Sequence, residues 1–295
     1  VMKPLQDAEG YDPEFSTAVN AISAPTGLLI PPSNTLILYS LVSGGTSIAA
    51  LFVAGYIPGI LWGLSVMVVA YFMAKKRGYP VGERVSVKDG LRITIEAPIA
   101  LSLILVVVGG IILGYFTPTE GAAIAVVYSF ILMLFYKTFS IKAIPTMLME
   151  TARTTGIVML LIGTSSMMIH IMTVAGIPNA IASSILSITD NQYLILLIIT
   201  AFLLFIGTFM DIAPAVLIFT PIFLPVVKSF GMDVIHFGVF LTYAMCIGGI
   251  TPPVGNILFA AAATSKVPIE KVIKPMLPFF VAITVVLLLV AYVPQ

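Results

Sequence analysis

The chain is poor in the residues that most protein chemistry needs. Its 295 residues include one cysteine, Cys246, so neither a disulfide framework nor a thiolate metal cluster can be assembled within it. Two histidines, His170 and His236, the second with the single acid Asp233 close by in sequence, do not complete a metal triad, and each is expected at a membrane interface. No P-loop occurs, so nothing in the chain points to ATP use. Charge is scarce as well: 9% of residues are Asp, Glu, Lys or Arg, against about 25% in soluble domains. A formal net charge of +1 carries no signal for nucleic acid.

What is present is apolar surface, proline and glycine. Hydrophobic residues make up 59% of the chain, and the mean hydropathy is +1.12. That composition defines an all-α polytopic membrane protein, with the lipid bilayer as its first partner. The stretch from Cys246 to Phe259 is apolar enough to be membrane helix, yet Pro252 and Pro253 remove two successive backbone donors. The helix is therefore predicted to open there. Freed carbonyls in lipid cost several kcal/mol each, so such a turn persists only when it is buried in protein or faces a polar ligand. The one other Pro-Pro pair, Pro31-Pro32, lies 252 − 31 = 221 residues earlier. At that offset Pro4 falls on Pro225, Gly10 on Gly231, Asp12 on Asp233 and Gly27 on Gly248. What matches is mostly Gly and Pro, which fix backbone shape, so the pattern reads as a duplicated broken helix.

In chain order, residues 1–46 hold the end of a first hairpin and the first broken helix. Residues 47–153 hold a span from Ser47 to Ala74 stopped by Lys75-Lys76-Arg77, an interfacial arm at 78–96 with Glu96 pairing to Arg92, two spans at 97–115 and 122–136, and a second arm at 140–153. Residues 154–265 hold an outward span to Ala175, a surface segment at 177–191, and an apolar stretch from Tyr193 to Lys228 interrupted at Gly207–Pro214, then the second broken helix. The interruption predicts a re-entrant hairpin; two complete crossings joined at the tip are the alternative. Residues 266–295 form the last span. This topology puts 13 of the 14 Lys and Arg on one side, all but Lys228. Five crossings separate the two broken helices, so the repeats are inverted, the architecture of secondary transporters.

Around the breaks stand neutral oxygens and amides: Ser23, Thr26, Ser33, Asn34 and Thr35 at the first, Thr251 and Asn256 at the second. Gly27, Gly248, Gly249 and Gly255 let carbonyls approach a ligand, or serve only close helix packing. Neutral oxygen cages suit sodium as a coupling ion, and half-helix N-termini suit a carboxylate. Asp211, at the hairpin tip, is the one carboxylate placed within the membrane; it either meets a cation or caps the helix that carries Pro214. Glu120 in Thr-Pro-Thr-Glu is predicted to cap the helix that follows.

Four motifs, Gly-Tyr-Asp-Pro-Glu-Phe-Ser at 10–16, Ile-Pro-Pro-Ser at 30–33, Phe-Thr-Pro-Thr-Glu at 116–120 and Gly-Gly-Ile-Thr-Pro-Pro-Val-Gly at 248–255, give the chain a family. It resembles the large membrane subunit of tripartite ATP-independent periplasmic (TRAP) transporters, truncated at its N-terminus so that the family's first hairpin tip is missing. The resemblance implies an elevator-type carrier with residues 1–46 and 154–265 as transport domain and 47–153 as scaffold. It implies sodium-driven import across a bacterial inner membrane, a small membrane subunit, separate or fused, and a periplasmic substrate-binding protein. It further implies sodium held at Gly27, Pro31, Ser33, Gly207, Asp211, Gly248, Thr251, Pro252 and Gly255. Substrate would be held by Ser33, Asn34, Thr35, Thr208, Asp211 and Asn256. The polar Ser33-Asn34-Thr35 favours sialic acid or a similar sugar acid as cargo, with a C4-dicarboxylate next. A sodium/dicarboxylate symporter that works without a binding protein is the alternative. An intramembrane hydrolase built on Asp211 lacks a second acid or a metal triad, so an enzyme is not expected.

Overall fold

In the computed structural model every regular element of the described residues, which are 2–79, 98–177, 180, 181, 183, 184, 189 and 191–293, is helical. The arm read at 78–96, with Glu96 and Arg92, and most of the surface segment at 177–191 lie outside them. Packing divides the chain into two units, residues 1–82 with 165–295, and residues 83–164.

The smaller unit starts with α6 (Pro98–Ile112) and α7 (Pro118–Phe135). The expected cap is present. Thr117 Oγ1 accepts from the Glu120 amide at 3.3 Å, and Glu120 Oε2 accepts from the Thr117 amide at 2.7 Å. Ser102 and Tyr128 hydroxyls, 2.5 Å apart, join the two helices. After a 3-10 turn at Ile141–Ala143, α8 runs unbroken from Ile144 to Val174. The arm at 140–153 and the span from Thr154 are thus not separate elements, and the boundary at 153 falls inside a helix. Glu150 and Arg153 make the first part of the helix more polar, but no Pro or Gly stands between Thr146 and Thr155 to break it. His170 is exposed on α8.

The larger unit begins with α1 (Met2–Ala8) and the first broken helix, which comes in three pieces: α2 (Pro13–Ser23), α3 (Thr26–Leu29) and α4 (Asn34–Val42). Helix α5 (Ile48–Arg77) follows, with Pro58 inside it. Its 30 residues reach about 45 Å at 1.5 Å per residue, enough for a tilted crossing of a ~30 Å hydrocarbon core. Lys75, Lys76 and Arg77 form its last turn rather than stopping it. The stop is Gly78, left-handed at φ +66°, which donates to the carbonyls of Ala74 and Lys75.

Helices α9 (Gln192–Gly207) and α10 (Ile212–Ser229) follow one another across a four-residue tip. The second broken helix is α11 (Val234–Ile250) and α12 (Asn256–Ser265), and α13 (Ile269–Tyr292) closes the chain. Helix α11 is the centre of the unit, buried on every side from His236 to Ile250. Packed on it are α9, α10, α5 and α13, while α10 also meets α4, and α2 meets α12 and α13. Helix α5, grouped by sequence with residues 47–153, thus packs among the broken helices. His236 is not an exposed interfacial residue either: it is buried, with Nε2 2.6 Å from the Val290 carbonyl.

The 221-residue offset recurs in backbone conformation. Pro31-Pro32 and Pro252-Pro253 are both cis. Gly10 and Gly231 have φ of +76° and +86°, and Asp12 and Asp233 are both helix N-caps. Helix α5 begins at Ile48 and α13 at Ile269, again 269 − 48 = 221 apart.

Candidate functional site: the hairpin tip on the second break

Helix α11 ends where its sequence stops supplying donors. Thr251 turns extended (φ −90°, ψ 131°), and its amide bonds back to Gly248 O at 2.9 Å. Its hydroxyl donates to Ile247 O at 2.6 Å, which leaves the oxygen's lone pairs available. Past the two prolines the chain re-enters a helix through Gly255 at φ +42°, where a Cβ would stand 2.8 Å from Thr251 O. No other residue fits that turn.

The hairpin tip closes onto this turn. Gly255 N donates to Thr208 O at 3.0 Å. Gly207 and Gly248 touch backbone to backbone: a Cβ on Gly248 would lie 2.5 Å from Gly207 Cα and 3.0 Å from Gly207 O. Asp211 occupies the N-cap position of α10, yet its side chain does not cap that helix. The carboxylate accepts instead from Asn256 Nδ2, while Asn256 Oδ1 accepts from the Ile257 amide at 2.9 Å. Both side chains are exposed and open to a ligand.

Four helix ends meet here. The C-terminal ends of α9 and α11 bring carbonyl oxygens and about half a negative charge each; the N-terminal ends of α10 and α12 bring amides and about half a positive charge each. One place thus offers carbonyl and hydroxyl oxygens for a hard cation and, beside them, amide donors for an anion. Among the described residues no group of three His, Cys, Asp or Glu forms a metal centre. A cation here would rest on Asp211, hydroxyl and backbone oxygens.

Of the residues singled out from sequence, Gly207, Thr208, Asp211, Gly248, Thr251, Pro252, Gly255 and Asn256 come together. The first break is organised differently. Ser33 is fully buried, and its hydroxyl donates to Leu28 O and accepts from Leu36 N at 3.2 Å, closing the break on itself as the N-cap of α4. Pro31 and Thr35 are buried; Gly27 and Asn34 are exposed. Among the described residues no hydrogen bond ties these five to the tip.

Sequence reasoning missed what holds the first break. Trp62 Nε1 on α5 donates to Ile22 O at 2.8 Å, next to the turn between α2 and α3. Gly55 and Gly59, at G-x-x-x-G spacing, let α3 lie on α5: a Cβ at either would come within 2.5 Å of Leu29 O or Ile30 Cγ1. That spacing was readable in the sequence.

Helices opened within an apolar bundle, their four ends gathered on one acid and one amide, define a multi-pass membrane transport protein. The chain matches, over residues 1–295, the family described as "Tripartite ATP-independent periplasmic transporter, DctM component". It belongs to that family, and as a transporter subunit it is not an enzyme. It is 50% identical over its whole length to YgiK of Salmonella typhimurium, covering 68% of that protein. It is 38% identical over 294 residues, 99% of the chain, to the isethionate TRAP transporter permease DctMQ of Oleidesulfovibrio alaskensis, covering 46% of it. To the sialic acid TRAP transporter large permease SiaM of Vibrio cholerae it is 36% identical over its full length, covering 69% of that protein.

Proposed function

We propose that this chain forms most of the large membrane subunit of a sodium-coupled importer of organic acids in the bacterial inner membrane. A periplasmic binding protein delivers the acid, and a small membrane subunit, separate or fused as the name DctMQ suggests for one relative, completes the carrier. The observation that carries this reading is the docking of the hairpin tip on the second break. It puts carbonyl ends and amide ends side by side, where a cation and a carboxylate would stabilise each other's binding. Sodium would sit at Gly207, Gly248, Thr251, Pro252, Gly255 and Asp211, with a second ion at Gly27, Pro31 and Ser33. The acid group would face the N-termini of α10 and α12 beside Thr208, Asp211 and Asn256, with Asn34 and Thr35 toward the rest of the cargo.

The recurrence of positive-φ glycines, N-caps and helix starts at 221 residues supports a duplication, and the odd number of crossings read between the copies would invert them in the membrane. The two broken helices and the tip helices would move as the transport domain of an elevator, with α5, which packs among them, on the moving side. A sugar acid such as sialic acid is the first cargo to test and a C4-dicarboxylate the second. The experiment is uptake of labelled acids into proteoliposomes holding the full-length subunit with its small subunit and binding protein. Uptake is expected only with an inward sodium gradient and the binding protein. Equal uptake without sodium overturns the coupling, and equal uptake without the binding protein overturns the tripartite reading.

A further inference from the structure

Two aspartates open helices with the same backbone and do different things. Asp211 (φ −67°, ψ 150°) precedes α10, and Asp233 (φ −67°, ψ 146°) precedes α11. Asp233 caps its helix: Oδ1 accepts from the Ile235 amide at 2.7 Å and from the His236 amide at 3.3 Å. Asp211 makes no such cap, and its carboxylate reaches across to Asn256 Nδ2 at the start of α12. Backbone conformation at the cap does not account for the difference.

The third residue of each helix does. In α11 it is His236, which supplies one of the two amides; in α10 it is Pro214, which has no N–H and sets a ring carbon where that donor would stand. A cap on α10 would keep only the Ala213 amide. A third aspartate gives the scale of the competition. Asp12, the N-cap residue of α2, has Phe15 at the third position, and what draws its carboxylate is a full cation, Arg77 at 2.7 Å. Asp211 leaves its helix for a neutral amide, a weaker attraction than a guanidinium, and a weakened cap is what lets that amide win.

Asn256 receives the carboxylate in a fixed attitude. Its Oδ1 accepts from the Ile257 amide at 2.9 Å, which turns Nδ2 toward the tip. Gly249 leaves the room for this: a Cβ there would stand 3.1 Å from Asn256 Oδ1 and 3.4 Å from both Ile212 Cδ1 and Ile257 Cδ1. The first turns of α10 and α12 thus close over Gly249. The bond to Asn256 uses Oδ1 of Asp211, so carboxylate lone pairs stay available to a cation.

We propose that Pro214 is a positioning residue for the cation at the tip. By withholding the third amide of α10 it keeps the Asp211 carboxylate off its own helix and over the second break, where Asn256 holds it. This role rests on the sodium reading above. Restoring the N–H lets Asp211 swing back to α10 and away from the ion.

The test is the melting temperature of the purified full-length subunit, titrated with sodium chloride at an ionic strength held constant with choline chloride. Wild type is expected to gain stability with a definite half-effect sodium concentration. Pro214→Ala and Pro214→Ser each return the N–H and should raise that concentration by about fivefold, the factor that one helix cap is worth. Should one of them fail to fold, the other carries the measurement. Pro225→Ala removes an exposed proline of the same helix 225 − 211 = 14 residues from the carboxylate and should leave the concentration unchanged. The effect must pass through Asp211: in an Asp211→Ala background, Pro214→Ala should add nothing. An unchanged half-effect concentration in the Pro214 variants, or an equal shift with the carboxylate absent, overturns the role of Pro214 and leaves the sodium reading standing. A wild type that gains no stability from sodium overturns both.

Discussion

Asp211 and Thr251 are the two residues at which the coupling reading is most exposed to test. Asp211 is surface-accessible and its fold contribution is one bond to Asn256; Thr251 loses one hydroxyl bond to Ile247 when changed to Val. A neutral hydrogen bond contributes about 1 kcal/mol and one to a charged group about 1.5–3 kcal/mol, so Thr251→Val should reach the membrane in normal amount and Asp211→Ala in at most modestly reduced amount. Transport should suffer far more. Removing a charged or hydroxyl ligand for a cation is worth about 1.5–3 kcal/mol, so Asp211→Ala and Thr251→Val should each lower uptake at limiting sodium by about tenfold or more. Uptake measured against sodium concentration checks this: the loss should shrink as sodium rises for Thr251→Val. Unchanged sodium activation in both variants would remove sodium from this position. Ser33 also has a structural part. Besides the ligand role proposed for it, Ser33 closes its own break through Leu28 and Leu36, a structural role that local geometry decides and composition does not reveal.

Between elements, glycine contacts rather than apolar burial hold the larger unit, as lipid offers no hydrophobic advantage over a neighbouring helix. Gly248 and Gly27 separate packing from chemistry. A methyl group on Gly248 meets the Gly207 backbone, which has no flexible side chain to yield; on Gly27 it meets nothing within 4 Å. Gly248→Ala is therefore expected to destabilise the purified protein by about 1–3 kcal/mol and to lift the tip from the break. Gly27→Ala should keep wild-type thermal stability, so any change it makes in sodium dependence reports a ligand role alone. Melting curves with and without sodium measure both. The elements that sequence reveals are those set by local breakers: Pro31-Pro32, Pro252-Pro253, the Gly207–Asp211 tip and the Thr117–Glu120 cap. What it hid depends on residues far apart. That the tip meets the second break and not the first is decided by the Gly207–Gly248 contact, 248 − 207 = 41 residues apart in sequence. The continuity of α8 is hidden for another reason: its composition changes from mixed to apolar along a backbone that has no cause to stop.

At the scale of the molecule, a duplication at 221 residues makes a prediction that composition alone does not. Ala8 and Ser229 are exposed at corresponding positions, 229 − 8 = 221, at the ends of α1 and α10. If the copies are inverted, Ala8→Cys should react with a membrane-impermeant maleimide only from the cytoplasmic side and Ser229→Cys only from the periplasmic side. Labelling of both from one side would replace inversion with a parallel repeat and remove the architectural argument for a carrier. The chain's own Cys246 is buried on α11, away from an impermeant reagent. The chain's single tryptophan brings a second reporter. Because Trp62 is hydrogen-bonded to Ile22 at the first break, the fluorescence of this residue monitors that one joint. Admission of water to the joint during turnover would redden the emission, so the first break carries its own optical probe without chemical labelling.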